Sequence, residues 1–414
     1  MRREARKDCG GKDLLMRKTA VMRRIASALT VGALAAGLAS CTIGDTDGGE
    51  ALESAAHTEE QETEKLPEPP EFSFTDGDED VAPGDPVTVS SEAGLKSVVM
   101  TNEEGKTIKA AMNDEKTEWH TTEPLGYGRI YTVVATDTAG QEKTKTFTTV
   151  VPAAQTNVYM GPLDGATVGV GQAITFQFDV PIQDTKAVEE LIDVETSNDT
   201  EGGFFWLDAT ELRWRPKEMW EPGTEVTVSA NVYGKDMGGG IYGVEDVQHS
   251  FTVGDKVEAV VDNNDKMLRF YRNDALEREF PISLGTDGSF DTPNGTYVVG
   301  DMHESLVMDS RTFGLGLGQG GYVTPVSYAT QLSYSGIYLH GAPWAVWALG
   351  NTNQSHGCIN ATIADAQWFQ QNVKRGDVVT VTNAGGGTLN GSDGLGYWNM
   401  DWETRSGGSA DPNA

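Results

Sequence analysis

Hydrophobic and polar residues alternate in short runs along most of the chain, from about residue 71 to about residue 381. A period of two is typical of β-strands that bury one face and expose the other. Gly, Pro, Asn and Asp cluster between the runs, as expected for turns. We therefore predict an all-β dominated protein.

The strand-like runs first form two blocks, residues 71–152 and 153–254. Each block has about the length of a small antiparallel sandwich. We predict two tandem immunoglobulin-like β-sandwiches, in which no chemistry is visible. The clearest strands are predicted at 86–90, 96–100, 130–135, 173–178 and 225–230.

Two further features of the second block lead to predictions. Residues 185–194 are predicted to form a short helix. Three large aromatic residues are expected in the core of this sandwich because their side chains are mainly apolar. They are Trp206, Trp214 and Trp220.

Residues 255–383 form a third block, which predicts a further β-sandwich with one short helix. Residues 257–262 and 266–271 flank Asn263-Asn264-Asp265, a hairpin signal. The helix is predicted at 363–374, and strands are predicted at 278–284, 295–299 and 377–381. Ala366, Phe369 and Val373 mark one face of that helix.

The C-terminal extension, residues 384–414, is rich in Gly and contains tryptophan. We expect Trp398 and Trp402 to dock on the third block or on the second sandwich.

The N-terminal residues 1–40 are typical of an export signal. Basic residues lead to an apolar run at 25–39, which is too short for a comfortable membrane span. Leu38-Ala39-Ser40-Cys41 resembles a bacterial lipobox, so Cys41 is predicted to carry a lipid anchor. The alternative is an ordinary signal peptide with an incidental cysteine. Residues 41–70 are predicted to form a disordered acidic tether.

Charge excludes some classes of partner. The chain has 31 basic and 62 acidic residues and a net charge of −31, although its first 24 residues are strongly basic. A strongly acidic exported part argues against nucleic acid and against an anionic lipid surface as partners. Charge does not identify a ligand.

Cysteine usage indicates where the chemistry lies. Of three cysteines, Cys9 and Cys41 belong to the leader region, which leaves Cys358 unpaired. An exported protein that retains one thiol is unusual, so Cys358 is a candidate nucleophile. The alternative is a small buried hydrophobic residue. Within Ser-His-Gly-Cys at 355–358, successive N–H groups are available for a developing oxyanion.

A cysteine nucleophile needs a base, and two histidines are candidates. His340 ends an apolar run at 337–339, and His356 lies beside the cysteine. Either could be the base on chemistry alone, and either could be a structural histidine. A zinc site formed by His303, His340, His356 and Cys358 is conceivable, but the spacings match no compact zinc template.

The spacing of these residues resembles that of a known family. Seventeen residues separate His340 from Cys358, and Ser-His-Gly-Cys-Ile-Asn follows at 355–360. This pattern is similar to the signature of the L,D-transpeptidases, which have a YkuD-type catalytic domain. The chain further resembles the mycobacterial and corynebacterial branch of the family at residues 309–314, 328–336, 342–344 and 386–402. That branch carries immunoglobulin-like domains before the catalytic domain.

The resemblance implies roles for individual residues. Cys358 would attack the bond between diaminopimelate and the terminal D-Ala of a tetrapeptide stem, and His340 would be the general base. The carbonyl of Gly341, where the family commonly has serine, would orient the imidazole. The N–H groups of His356, Gly357 and Cys358 would form the oxyanion hole. Tyr322, Ser335, Gly336, Trp344, Asn360 and Met308 would bind substrate.

The same resemblance implies the partners and the place of action. Donor and acceptor stems of peptidoglycan would be joined by 3→3 cross-links, and carbapenems would acylate Cys358. No metal or organic cofactor is implied. The protein would be exported and lipid-anchored to the outer face of the membrane. The alternatives are an L,D-carboxypeptidase, in which water resolves the thioester, and a non-catalytic wall-binding lipoprotein.

Overall fold

Residues 67–403 are described by a computed structural model of the chain. The predicted signal peptide, most of the predicted tether and the lipidation site Cys41 lie outside these residues. The carbonyls of Pro67 and Pro70 accept hydrogen bonds from Gln141 and Lys143 of the first sandwich. Among residues 67–403, no helix is long and apolar enough to cross a membrane.

The first sandwich consists of two four-stranded sheets, ordered β1-β3-β6-β5 and β2-β8-β7-β4. Alternate residues of both sheets, including Trp119, Val133 and Phe147, form a common core between them. The strands are β1 (Glu71–Phe72), β2 (Asp78–Val81), β3 (Thr88–Ser90), β4 (Leu95–Asn102), β5 (Ala110–Met112), β6 (Glu118–Thr121), β7 (Ile130–Asp137) and β8 (Glu142–Thr149).

The second sandwich is built in the same way, from sheets ordered β10-β12-β15-β14 and β11-β18-β16-β13. Trp206, Trp214 and Trp220 are buried in its core, as predicted. Its elements are β9 (Ala154–Thr156), β10 (Val158–Gly161), β11 (Ala166–Val168), β12 (Ile174–Phe178), α1 (Thr185–Glu189), β13 (Ile192–Thr196), β14 (Gly202–Asp208), β15 (Glu211–Pro216), β16 (Glu225–Ala230), β17 (Ile241–Gly243) and β18 (Val247–Val253).

The helix predicted at 185–194 is wrong in its second half. Asp184 caps α1, which ends at Glu189, and β13 follows from Ile192. Residues 192–196 alternate in polarity and pair with β16 along their whole length. Hydrogen bonding to β16 and burial of Ile192 therefore favour a strand at 192–196 instead of a longer helix.

The third block places a six-stranded sheet, β21-β20-β19-β27-β22-β28, beside a four-stranded sheet, β23-β24-β25-β26. The predicted hairpin is confirmed, because β19 and β20 pair antiparallel from Val257 to Arg272. The elements are β19 (Val257–Asp262), β20 (Met267–Arg272), β21 (Ala275–Pro281), β22 (Pro293–Val298), β23 (Met302–Asp309), β24 (Val323–Gln331), β25 (Tyr338–Gly341), β26 (Ile359–Ala361), α2 (Ile363–Asn372), β27 (Val378–Thr382) and β28 (Gly386–Thr388).

Helix α2 is the only α-helix of this block in the described residues. Thr362 caps its N-terminus by accepting a hydrogen bond from Asp365. Ala366 and Phe369 are fully buried, and they join the core together with Val373 just beyond the helix. The predicted buried face is therefore confirmed. Short 3₁₀ helices lie at Ser310–Phe313, Leu317–Gln319, Pro343–Ala348, Gly391–Asp393 and Tyr397–Asn399.

The C-terminal residues join the third block to the second sandwich. The Tyr397 hydroxyl donates to the Gly171 carbonyl at 2.7 Å and accepts from the Ala173 N–H at 2.9 Å. Arg215 lies 4.1 Å from the ring centre of Trp398 and 5.2 Å from that of Trp402. Both tryptophans thus dock on the second sandwich, one of the two predicted surfaces. The predicted fold class is confirmed.

Candidate active site

A parallel pair of short strands brings the two ends of the sequence motif together. β25 ends with His340 and Gly341, and β26 begins directly after Cys358. In their register His340 lies opposite Asn360, so the histidine and the cysteine come from neighbouring strands of one sheet. Between the two strands, residues Pro343–Ala348 form a 3₁₀ helix.

These residues share one pocket with a volume of about 160 Å³. Typical ligand pockets measure about 300–1,000 Å³. The pocket therefore holds only part of a peptide ligand. Its walls are formed by Met308, Tyr322, Thr324, Val326, His340, Trp344, Gln354, Ser355, His356, Cys358 and Asn360.

His340 is held with one ring nitrogen occupied. It is 4% exposed, and its Nδ1 lies 3.2 Å from the carbonyl oxygen of Gly341. This contact is the one expected from the family resemblance, and it leaves Nε2 as the free ring nitrogen. Burial lowers the pKa of His340 to about 4, against a smaller opposing effect of the Gly341 carbonyl. The imidazole is therefore neutral at neutral pH and can accept a proton.

Cys358 is also buried, at 4% exposure, and it is a free thiol. Its Sγ lies 3.6 Å from the carbonyl oxygen of Gly336, which accepts from the thiol. Burial raises the pKa of Cys358 to about 11, whereas a hydrogen bond from the Tyr338 backbone acts in the opposite direction. Burial thus favours a neutral thiol in the same pocket as a neutral imidazole. Attack by sulfur then requires transfer of the thiol proton to a base.

Residues 355–358 form a tight turn held by side-chain hydroxyls. Ser355 Oγ donates to the Cys358 carbonyl at 2.6 Å and accepts from the Gly357 N–H at 3.1 Å. Thr292 Oγ1 donates to the Gly357 carbonyl at 2.9 Å. Gly357 has a φ of +116°, where a side chain would be strained. Of the three predicted oxyanion donors, the Gly357 N–H is thus engaged by Ser355.

His356 is held in a different way from His340. Its ring lies between those of Phe290 and Tyr322, with centroid distances of 4.3 and 4.9 Å. Its Nε2 lies 3.1 Å from the Gly320 carbonyl, in the Gly-rich segment that precedes Tyr322. The ring therefore links the motif to this segment.

The other predicted substrate-binding residues divide into two groups. Met308, Tyr322, Trp344 and Asn360 line the pocket, and Trp344 is half exposed at 6.1 Å from the His340 ring. Ser335 and Gly336 lie instead in the adjoining loop. That loop reaches the pocket through the Gly336 carbonyl.

Sequence reasoning missed several residues of the site. Thr324 and Val326 line the pocket together with Tyr322, so the period-two alternation of β24 could have identified them. The structural role of the Ser355 hydroxyl was not predicted, although the residue lies within the motif. Phe290 gave no signal, since it comes from a separate loop.

The zinc alternative has no support in the geometry. Within residues 67–403, no group of three or more His, Cys, Asp or Glu side chains is arranged to hold a metal ion.

Comparisons with known proteins match two parts of the chain to family models. Residues 256–381 match a family model described as the L,D-transpeptidase catalytic domain, YkuD, and residues 78–236 match a bacterial Ig domain. One Ig match thus covers strands of both sandwiches.

Among relatives, L,D-transpeptidase 2 of Mycobacterium tuberculosis is 45% identical, with 82% of this chain and 84% of the relative covered. L,D-transpeptidase 5 of the same species is 32% identical, with 82% and 77% covered. A solved L,D-transpeptidase in complex with imipenem is 34% identical, with 55% of this chain and 99% of that chain covered and a TM-score of 0.49.

Proposed function

The chain belongs to the L,D-transpeptidase family with a YkuD catalytic domain, and from this premise we propose that it cross-links peptidoglycan stems through a thioester on Cys358. One observation carries the assignment of residues. His340 and Cys358 line the same pocket, with Nδ1 of the histidine fixed by Gly341 and Nε2 left free.

In the first step, Cys358 Sγ forms a bond to the carbonyl carbon that precedes the terminal D-Ala of a donor stem. His340 takes the thiol proton and returns it to the leaving amine of D-Ala as the C–N bond breaks. Because both groups are neutral in the resting site, the proton moves together with the attack. The N–H groups of His356 and Cys358 stabilise the oxyanion, since the Gly357 N–H already donates to Ser355 Oγ.

In the second step, the side-chain amine of an acceptor stem attacks the thioester. Its surplus proton passes through His340 to the leaving sulfur, which restores the thiol and leaves a 3→3 amide cross-link. Tyr322, Trp344, Asn360 and Met308 are placed to contact the stems, since they form the pocket walls.

We also propose that the protein is exported and lipid-anchored through Cys41 at the outer face of the membrane. The basic and apolar leader followed by Leu-Ala-Ser-Cys supports this. The acidic segment and the two sandwiches would then set the distance between the membrane and the catalytic pocket.

The test is mass spectrometry of the exported part, residues 42–414, incubated with purified disaccharide-tetrapeptide. A cross-linked dimer that has lost one D-Ala supports the proposal. Free tripeptide without dimer indicates a carboxypeptidase, and no change in the substrate indicates a binding protein. Cys358→Ala is expected to abolish both products and to keep the fold.

A matched pair of variants tests the base. His340→Ala is expected to slow acylation of Cys358 far more than His356→Gln, because Gly341 orients the His340 imidazole, whereas the His356 ring is packed between those of Phe290 and Tyr322. Equal losses in the two variants would contradict the assignment of His340.

A further inference from the structure

The loop between β24 and β25, residues 332–337, holds the carbonyl that contacts the nucleophile. Gly336 has a φ of +98°, and its carbonyl oxygen lies 3.6 Å from Cys358 Sγ. The base of the loop is closed by the Ile337 N–H, which donates to Ser333 Oγ at 2.8 Å. The position of the thiol proton therefore depends on the conformation of this loop.

The outer part of the loop is held by a carboxylate from the C-terminal extension. The N–H of Tyr334 donates to Asp393 Oδ1 at 2.7 Å, and the N–H of Ser335 donates to Oδ2 at 3.0 Å. Hydrogen bonds to an ionised acceptor are stronger than neutral ones, and two parallel bonds also fix orientation. Asp393 thus fixes the two residues directly before Gly336.

The same stretch of the extension is fixed from the second sandwich. Arg213 is 1% exposed and donates to the carbonyl of Gly394, the residue after Asp393. Glu211 holds the guanidinium through a 2.7 Å hydrogen bond to Nε. The guanidinium also lies 5.8 Å from the ring centre of Tyr334, at the tip of the loop. The second sandwich, the extension and the loop are therefore linked by direct contacts.

We propose that Asp393 is a positioning residue for the transpeptidase reaction. It orders the 332–337 loop against Cys358 and couples this loop to Arg213 of the second sandwich. Asp393 lies outside the pocket wall and acts through the backbone of the loop. Loss of its carboxylate is expected to slow the chemical step and to leave stem binding nearly unchanged.

The test compares Asp393→Ala and Asp393→Asn with the wild-type full-length exported chain. An asparagine oxygen accepts from one N–H, but its amide nitrogen cannot accept from the other. Misplacement of a reacting group by about 1 Å can cost up to about a hundred-fold in rate. We expect kcat to fall by about ten-fold or more in the alanine variant and less in the asparagine variant, with KM changed less than about two-fold.

Asp236→Ala is the matched control. This aspartate also accepts from two backbone N–H groups, those of Gly238 and Gly240, but in a turn of the second sandwich. Its replacement is expected to leave kcat unchanged. If Asp393→Ala retains wild-type kcat, or loses activity only in proportion to the unfolded fraction, the proposal is overturned.

A second readout separates this inference from the proposed function on which it rests. Alkylation of Cys358 by iodoacetamide, followed by mass spectrometry, needs no stem peptide. We expect its rate to change at least about three-fold in Asp393→Ala and not in Asp236→Ala. An unchanged alkylation rate in Asp393→Ala contradicts the inference, whereas a wild-type chain that makes no cross-link contradicts only the proposed function.

Discussion

The low pKa of His340 leads to a prediction about acid conditions. An ordinary histidine, with a pKa near 6.5, is only about one-tenth neutral at about pH 5.5. Burial lowers the pKa of His340 to about 4, so its imidazole is still almost fully neutral at that pH. If the neutral imidazole accepts the thiol proton of Cys358, acylation should persist at a pH where most histidine bases have lost activity.

The assay is the second-order rate of Cys358 acylation by imipenem, followed by intact-protein mass spectrometry. The rate at about pH 5.5 is expected to stay within about two-fold of the rate at about pH 7.5, and to fall by half near pH 4. Spontaneous loss of imipenem is measured at each pH without protein. An acid limb with its midpoint near 6.5 would refute the reasoning, because the base would then be an unperturbed histidine.

The same shift affects stability. Since the pKa of His340 is about 4 in the folded state and near 6.5 when unfolded, the unfolded chain binds more protons between these values. The contribution of neutral His340 to the free energy of unfolding is therefore complete above pH 6.5. It falls by about 3 kcal/mol as the pH decreases toward 4. Denaturant unfolding of His340→Gln should show a shallower loss over the same pH window. An identical loss in both proteins would contradict this.

Three further predictions concern packing. Tyr397→Phe leaves a buried N–H of the second sandwich without its acceptor, so denaturant unfolding should show a loss of about 1–3 kcal/mol, and no loss would contradict the contact. Phe369→Ala should cost about 3–5 kcal/mol, whereas Leu276→Ala at an exposed position should cost under about 0.5; equal costs would refute the core assignment. Gly169→Ala places a Cβ against the backbone at Asp377, so it should lower the free energy of unfolding by about 1–3 kcal/mol. It should also speed proteolysis between the second sandwich and the third block. Unchanged proteolysis would argue against this contact.

Features with a local sequence signal could be predicted. The hairpin of β19 and β20 followed from alternation and three turn residues, and both are local. The association of His340 with Cys358 followed from the resemblance of the motif to a known signature, and the structure places both residues in one pocket. Thr324 and Val326, which line the pocket, could also have been predicted, because they alternate along β24.

Contacts between distant segments could not be predicted. Asp393 lies 59 residues from Tyr334, and nothing in Gly-Ser-Asp-Gly at 391–394 distinguishes a loop clamp from an ordinary turn. The engagement of the Gly357 N–H by Ser355 is local, but it depends on a φ of +116° that the motif alone does not reveal. The contact of Asp393 with the loop arises from tertiary packing, which the pattern of polarity does not encode.

Two buried arginines of the second sandwich depend on contacts with the C-terminal extension. Arg215 is 3% exposed, and burial lowers its pKa to about 10, so the structure bears a desolvation cost there. A cation–π contact with the ring of Trp398, whose centre lies 4.1 Å from the guanidinium, offsets part of this desolvation cost. The Met400 carbonyl also accepts a hydrogen bond from the same guanidinium. Arg213 depends on Gly394 in the same way. The extension therefore completes the second sandwich as well as the six-stranded sheet of the third block, to which it adds β28. Removal of residues 384–414 should weaken the link between the second sandwich and the third block even with every catalytic residue retained.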